Sequence, residues 1–275
     1  EAKLASRLDH PYAAHIYAFG AEPDGVCWIA MELVRGATLR ALLETQGPMP
    51  LERFVPLLER ICEVVHTAHE QGIVHRDLKP DNVMVISRAG RLLPKLLDFG
   101  IARALLDPRP TRGARGAVQG SPSYMAPELW VDPDSAGPAV DQYALGALAY
   151  EALTGRFAFP GRTMIEIARA HARPARRPLG GGIPGALEAV LDKALARRAA
   201  DRYHNVLELA QAFRDTSGIG KTTLELPHLD GELRMRFLSR APQPIADAVA
   251  ACDAAKNAHQ AREALRALAR VVGWY

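Results

Sequence analysis

Residues 141–154 constrain the fold more than any other part of the sequence, because hydrophobic side chains recur there on every face of a helix. These side chains are Ala144, Leu145, Ala147, Leu148, Ala149 and Leu153. A helix that is apolar all round is stable only when other elements surround it. The sequence therefore predicts a buried helix, and 275 residues are enough to build one large domain around it.

Hydrophobic periodicity elsewhere predicts a few strands first and a mostly helical body after them. Alternating residues predict strands at 14–19, 26–34, 83–86 and 95–97. Helical periodicity begins at Leu51 and is stopped by Gly72, and it returns at 186–197, 206–214, 245–255 and 258–272. We therefore expect an α+β fold.

Composition excludes several classes of function. The net charge is only +3, which gives no reason to expect a nucleic-acid partner. Cys27, Cys62 and Cys252 stand too far apart for metal-ligand or redox spacing. No apolar run approaches the roughly 20 residues that span a membrane. We expect no membrane segment in this chain and a cytoplasmic location, and the excess of arginine over lysine is typical of a bacterial, GC-rich genome.

Three short motifs carry the chemistry. The segment His75-Arg76-Asp77-Leu78-Lys79-Pro80-Asp81-Asn82 lies in a predicted loop between a long helix and a short strand. Asp98-Phe99-Gly100 follows the next strand, and Ala126-Pro127-Glu128 comes after a stretch without periodicity. Each motif alone is weak, but the three in this order and context leave little room for chance.

On these motifs the chain resembles the protein kinase family, in particular the bacterial, eukaryotic-like serine/threonine kinases, from residue 1 to about 214. The resemblance implies a protein kinase-like fold, in which residues 1–34 end the N-terminal lobe and residues 35–214 form the C-terminal lobe. Residues 215–275 match nothing in the family, and we expect them to form a helical tail.

The resemblance also implies the roles of the motif residues. Asp77 would accept the proton of the substrate hydroxyl, and Lys79 would stabilise the γ-phosphate as charge develops. Asn82 and Asp98 would supply oxygen ligands to Mg²⁺, which prefers them. The hydroxyl of Ser121 would bridge Asp77 and Lys79, a combination typical of serine/threonine kinases.

The segment Met31-Glu32-Leu33-Val34 resembles the hinge that binds adenine. Met31 would be the gatekeeper, and the backbone of Glu32 and Val34 would hydrogen-bond the base. The cofactors implied are ATP and Mg²⁺, with Lys79, Asn82 and Asp98 on the phosphate side. The partner implied is a protein substrate that presents serine or threonine, whereas the oligomeric state stays open.

Other matches are structural. Glu128 and Arg202 correspond to a buried ion pair of the C-terminal lobe. Asp141 and Gly146 correspond to the buried helix that anchors the catalytic loop. His69 is expected to be a hydrogen-bonded structural histidine rather than a ligand.

The sequence departs from the family at its start and in the activation segment. No Gly-rich loop and no strand-three lysine precede the hinge, so we expect this chain to be a fragment that does not phosphorylate protein by itself. The resemblance implies that Glu1 would take the place of the helix-C glutamate. Ala117 and Arg115 stand where related kinases often carry threonine, which leaves Thr111 as the nearby acceptor for a phosphate that Arg76 would bind.

Two alternatives stay open. The chain could belong to a pseudokinase that serves as a binding or scaffold module. The presence of all four candidate catalytic and metal-binding residues argues against this; they are Asp77, Lys79, Asn82 and Asp98. Residues 218–223 also resemble the end of a phosphate-binding loop of a nucleotide-dependent switch. The first glycine of that motif would fall at Asp215, which argues against the second alternative.

Overall fold

The computed structural model describes residues 8–22, 26–88, 91–99, 121–132, 136–172, 176–180, 182–219, 241–254 and 258–272. The chain divides into two compact units, Glu1–Ile219 and Gly220–Tyr275. The sequence placed this division after residue 214, but the last helix of the first unit continues to Ser217. Glu1, Gly100, Thr111, Arg115 and Ala117 lie outside the described residues.

The first unit contains two small antiparallel sheets, and the second of them is completed by strands that follow the first two helices. Strands β1 (Ile16–Ala21) and β2 (Cys27–Met31) form the first sheet, with Ile16 opposite Met31. The second sheet has the order β3 (Ala37–Thr38), β4 (Val83–Arg88) and β5 (Arg91–Leu96). The four predicted strands are confirmed, and the second hairpin is longer than predicted because pairing continues out to Arg88 and Arg91.

Six helices are described in the first unit. They are α1 (Leu39–Gln46), α2 (Leu51–Glu70), α3 (Pro138–Thr154), α4 (Met164–His171), α5 (Leu187–Ala194) and α6 (Val206–Ser217). All but α1 and α4 were predicted. Helix α2 ends at Glu70, and Gly72 beyond it has a positive φ of 74°, a conformation that favours glycine.

Helix α3 is buried on every face, as predicted. Its buried residues run without interruption from Val140 to Leu153. Gly146 lies against α5, since a Cβ atom there would come within 3.1 Å of the Ala194 side chain. This close approach gives the predicted structural role of Gly146 a physical cause.

Helix α6 closes the hydrophobic core on the side of α2. The rings of Phe54 and Phe213 are fully buried and meet edge to face, with centroids 6.3 Å apart. Arg214 and Glu59 form a bidentate ion pair across the same two helices. The core is therefore continuous from the first sheet to α6.

The second unit contains helices α7 (Gln243–Ala254) and α8 (Ala258–Val272), which pack against each other. Both helices were predicted. Across the described parts of both units, no helix combines the length and apolar character needed to cross a bilayer.

Candidate active site

The loop after α2 is held in place by a fully buried carboxylate. Asp141, near the start of α3, accepts hydrogen bonds from the backbone N–H groups of His75 and Arg76, each at 2.8 Å. The Nε2 atom of His69 lies 2.7 Å from the same carboxylate. A buried carboxylate is tolerated when such donors surround it. Asp141 thus anchors the loop, and His69 has the structural role that the sequence indicated.

The backbone of the loop is strained where Asp141 holds it. Arg76 has a φ of 67°, in the left-handed region that side chains other than glycine avoid. Such a conformation costs on the order of 1–2 kcal/mol and persists only where surrounding contacts enforce it. The hydrogen bond from Arg76 to Asp141 is such a contact, and it turns the chain so that Asp77 faces outward.

His75 joins the loop to the strand end that carries Asp98. Its Nε2 atom lies 2.9 Å from the carbonyl oxygen of Leu97, so Nε2 carries the proton and donates. Its Nδ1 atom then accepts from the Asp77 N–H at 3.4 Å. Burial lowers the pKa of His75, which keeps the ring neutral and suited to this pair of contacts. The side chain packs against Phe99, with ring centroids 4.9 Å apart.

Asp77 is the point on which the predicted site residues converge. Lys79 Nζ lies 2.7 Å from its Oδ2 atom, and Asn82 Nδ2 donates to the same oxygen at 3.1 Å. Asn82 Nδ2 also donates to the backbone oxygen of Asp77 at 2.8 Å. The Asp77 side chain keeps 35% of its exposure, so a substrate group can still reach it.

Ser121 also contacts Asp77, but not in the way the resemblance implied. Its backbone N–H donates to Asp77 Oδ1 at 3.2 Å, whereas the expected contact ran through the hydroxyl. The segment that carries Ser121 continues into the short 3₁₀ turn Pro122–Tyr124. The contact therefore ties this segment to the loop of Asp77.

Asp98 stands beside Asn82, because the N–H of the preceding residue, Leu97, donates to the Asn82 carbonyl at 2.9 Å. Asp98 has a φ of 54° and an exposed side chain. No described residue hydrogen-bonds or ion-pairs with its carboxylate. A non-glycine residue in this conformation, with its charge directed to solvent, is typical of a functional position.

Asn82 and Asp98 fit a magnesium ion by their chemistry. The amide nitrogen of Asn82 is committed to Asp77, so its amide oxygen is the atom left for a cation. Asp98 adds a charged oxygen, and Mg²⁺ takes oxygen ligands while keeping several waters. Within the described part of the chain, no group of three or more His, Cys, Asp or Glu side chains could hold a metal.

The predicted hinge follows β2 directly. The N–H of Glu32 donates to the carbonyl of His15 at 2.7 Å, and the Glu32 carboxylate lies 2.7 Å from Lys95 Nζ. Burial raises the pKa of Glu32, but hydrogen bonds from Lys95 and the His15 N–H outweigh it, and the pKa lies below its ordinary value. Lys95 also donates to the Ala13 carbonyl at 3.0 Å, so it fastens the hinge to the strand that leads to Asp98.

The predicted pair of Glu128 and Arg202 is present and bidentate. The two nitrogen–oxygen distances are 2.7 and 2.8 Å, and the Arg202 side chain is fully buried. Arg202 also donates to the carbonyl oxygens of Ala139, Ala196 and Arg197. Its role is structural, because these contacts join the segment after the site to α3 and to the segment before α6.

Sequence reasoning missed Lys95 and Arg40. The partner of Lys95 is Glu32, and the partners of Arg40 are Asp81, Tyr124 and Glu151, all distant in sequence. No local pattern marks such residues. The available signal was the rarity of lysine in an arginine-rich chain, which could have drawn attention to Lys95.

Comparison with known proteins places this arrangement in context. A profile described as the protein kinase domain matches residues 1–209. Serine/threonine-protein kinase PknB of Mycobacterium tuberculosis is 37% identical over 215 residues, which cover 76% of this chain and 34% of that protein. Serine/threonine-protein kinase pkn2 of Myxococcus xanthus is 38% identical over 220 residues, which cover 77% of this chain and 26% of that protein.

A solved structure of a kinase domain has a similar fold. The crystal structure of the Mycobacterium tuberculosis PknI kinase domain matches with a TM-score of 0.61 and 27% sequence identity, over 78% of this chain and 75% of that chain. The chain thus spans about a quarter to a third of the length of these two curated relatives, but most of one solved domain.

Proposed function

The chain belongs to the protein kinase family, and from that premise we propose that its gene product transfers the γ-phosphoryl group of ATP to a serine or threonine hydroxyl of a protein. The observation that carries the proposal is the convergence of Lys79, Asn82 and Ser121 on the Asp77 carboxylate. Phosphoryl transfer asks a protein mainly for positioning and for stabilisation of charge. A partly open carboxylate held beside an ammonium group can supply both.

In this proposal Asp77 acts as the base. The substrate oxygen forms a bond to the γ-phosphorus, the bond from that phosphorus to the bridging oxygen of ADP breaks, and the hydroxyl proton passes to Asp77. Lys79, 2.7 Å from Asp77, balances negative charge on the transferred group. The contacts from Asn82 and Ser121 orient the carboxylate, so little rearrangement is needed at the moment of reaction.

Asn82 and Asp98 would hold Mg²⁺, which supplies charge neutralisation on the phosphates when bound. The amide oxygen of Asn82 and the carboxylate of Asp98 are the atoms assigned to it. The finding that supports this is the shared backbone hydrogen bond between Leu97 and Asn82, because it keeps the two ligands at neighbouring strand ends.

Adenine would bind the backbone of Glu32 and Val34. The N–H of Glu32 is already paired with His15, so the carbonyl of Glu32 is the group assigned to the base. The division of the kinase domain into an N-terminal lobe ending at residue 34 and a C-terminal lobe over 35–214 remains part of this proposal. So does the expected cytoplasmic location.

The binding-module alternative is disfavoured by the same geometry. A scaffold protein has no need of a lysine and an asparagine fixed on one partly exposed aspartate, nor of a strained aspartate beside them. These features cost stability, and proteins retain such strain mainly where function depends on it.

Asp77→Asn tests the proposal in the full-length gene product that contains this chain. We expect phosphoryl transfer from labelled ATP to a serine/threonine protein substrate to fall by at least about 100-fold, the lower range for loss of a general base. The melting temperature should stay unchanged, because Asp77 is partly exposed. Asp201→Asn, an equal change at an exposed position, is the control and should keep full activity. Turnover by Asp77→Asn close to that of the parent would contradict the proposed base.

A further inference from the structure

Arg40, the second residue of α1, lies among two carboxylates and a phenol. Its Nη1 atom is 2.5 Å from Glu151 of α3, and its Nη2 atom donates to the Tyr124 hydroxyl at 2.5 Å. Its Nε atom is 3.5 Å from Asp81. Tyr124 in turn donates its hydroxyl hydrogen to Glu151. We call this group of four residues the Arg40 cluster.

The Arg40 cluster needs a cation at its centre. Only 6% of the Glu151 side chain is exposed, and a carboxylate buried to this extent is costly unless it is paired. Burial raises the pKa of Tyr124, so its hydroxyl stays protonated and can donate to Glu151. With Arg40 present the formal charge of the cluster is −1. Without Arg40, two carboxylates would face the same space.

The Arg40 cluster adjoins the candidate active site through two segments. Asp81 directly precedes Asn82, which donates to Asp77. Tyr124 lies in the turn that follows Ser121, whose N–H also donates to Asp77. A peptide that presents its hydroxyl to Asp77 must therefore pass close to the cluster, and half of the Asp81 side chain is exposed.

An aromatic side chain completes the surroundings of the guanidinium. The Arg40 Cζ atom lies 5.9 Å from the centre of the Phe157 ring, which itself packs edge to face on Tyr124. Two carboxylates, a hydroxyl and an aromatic face together form the kind of site that recognises an arginine side chain. In this protein the occupant is its own Arg40.

We propose that Arg40 determines substrate specificity, because its guanidinium occupies from within the chain an acidic cleft that would otherwise bind an arginine or lysine side chain of the substrate. This inference rests on the proposed kinase function. The protein with Arg40 in place should be indifferent to basic residues near the acceptor. Removal of Arg40 should create a preference for a basic residue at one position of the peptide.

A purely structural role for Arg40 gives a different expectation. If Arg40 only joins α1 to α3, its removal lowers stability and leaves the ranking of substrates unchanged. Peptide preference therefore separates the two roles, whereas the melting temperature alone does not.

The test compares alanine-based serine peptides that carry a single arginine at each flanking position in turn. For the parent gene product we expect kcat/KM to vary by less than about threefold, since only the exposed Asp81 is left to attract the arginine. For Arg40→Ala we expect one position to be preferred by at least about tenfold, because charged hydrogen bonds to Glu151 become available. Arg40→Ala combined with Glu151→Gln should lose that preference. Arg53→Ala, which removes an exposed arginine from α2, should behave like the parent.

A binding measurement makes the result independent of catalysis. Methylguanidinium should raise the melting temperature of Arg40→Ala but not that of the parent or of the double variant, with tetramethylammonium as the control cation. If neither the parent nor any variant phosphorylates a peptide, the proposed kinase function fails. The thermal shift alone then tests whether the cleft binds a guanidinium group when Arg40 is absent. If Arg40→Ala does not fold, Arg40→Gln enters both measurements under the same criteria. A folded variant with the parental peptide ranking and no shift would overturn the inference.

Discussion

At the scale of single residues, two aspartates show how the surroundings of a carboxylate determine its role. Asp141 is fully buried and is held by two backbone N–H groups and His69, so its role is to fix the loop. Asp98 is exposed, sits in a strained backbone conformation and has no described partner for its charge. Asp141 therefore contributes to stability, whereas Asp98 is suited to binding a ligand.

Asp98→Asn should therefore reduce activity without unfolding the protein. Asparagine tolerates the left-handed conformation at this position as well as aspartate does, so the substitution removes the charge without adding backbone strain. We expect the phosphoryl transfer rate of the full-length product to fall by more than about tenfold, or 1.4 kcal/mol of barrier. The remaining activity should require more Mg²⁺. Rates measured over a series of Mg²⁺ concentrations check this, and an unchanged Mg²⁺ dependence would contradict the proposal that Asp98 binds magnesium.

His171 should make stability depend on pH. It ends α4, its Nδ1 atom lies 2.6 Å from the Tyr143 hydroxyl, and burial lowers its pKa to about 4. The carbonyl of Pro122 opposes this shift only in part. In the unfolded chain a histidine takes up its proton near pH 6.5, so acidification favours the unfolded state. The free energy of unfolding should fall by about 3 kcal/mol on this account as the pH drops from 6.5 to 4.

Urea unfolding at a series of pH values measures this contribution. His171→Asn keeps an acceptor for the Tyr143 hydroxyl but cannot titrate, so its free energy of unfolding should fall less steeply below pH 6.5. The neutral, buried His75 also lowers the free energy of unfolding at acid pH, and it does so in both proteins. The contribution of His171 is therefore the difference between variant and parent. His204→Asn, at an exposed position, is the control. Equal slopes for His171→Asn and parent would show that His171 does not lose its proton on folding.

Site residues could be predicted from sequence where chemistry fixes their spacing. Asp77, Lys79 and Asn82 lie within one short loop, and Asp98 follows the next strand, so the motif itself encodes their proximity. Arg40 could not be found in this way, because its contacts with Glu151 and Tyr124 depend on how α1 meets α3. A lone arginine on a short helix looks like any solvated charge.

At the scale of elements, too, a helix could be predicted only where a local sequence pattern marks it. Helix α3 was predictable because its composition alone requires burial, and α2 because its apolar face extends over its whole length. Helices α1, α4 and α5 have eight residues each, but α5 buries four apolar residues at helical spacing, whereas α1 buries only two and α4 buries only a histidine, so the apolar periodicity of α1 and α4 does not stand out. Their starts are set by Thr38 and Thr163, whose side chains accept hydrogen bonds from the first turn.

The pair of Glu128 and Arg202 should behave as a coupled unit that joins elements. Glu128→Ala leaves a fully buried guanidinium without its carboxylate, and we expect a loss of roughly 3–5 kcal/mol in the free energy of unfolding. Arg202→Ala should cost at least as much, because it also removes the donors to three carbonyl groups. Denaturant unfolding of both single variants and the double variant measures these values.

The double variant is the decisive member of that cycle. Once Arg202 is gone, the loss of Glu128 should cost little more, so the double variant should be less destabilised than the sum of the singles. Single effects that simply add would mean that the two side chains do not interact in solution. Phosphoryl transfer by any variant that remains folded should be nearly unchanged, since neither residue contacts Asp77 in the structure.

At the scale of the whole molecule, the two units differ in how well the sequence accounts for them. The first unit matches a known family over residues 1–209, and its core runs from Leu8 to Phe213. The second unit could be predicted only as two helices, because their alanine-rich periodicity indicates helix without indicating a partner or a function. Its role is not encoded in any motif of the sequence.

The hydrophobic core of the first unit predicts where the chain can be shortened. All the residues of that core lie before Ile219, where the division between units falls, so a variant ending after Ile219 retains every one of them. We expect its melting temperature to stay within about 2 °C of the parent, which for a unit of this size is less than about 1 kcal/mol. A variant ending after Asn205 is the matched control. It loses α6, and with it Phe213 against Phe54 and the ion pair of Arg214 with Glu59, so it should not fold cooperatively. Calorimetry of both variants checks the prediction, and a large loss on ending after Ile219 would show that residues 220–275 stabilise the first unit.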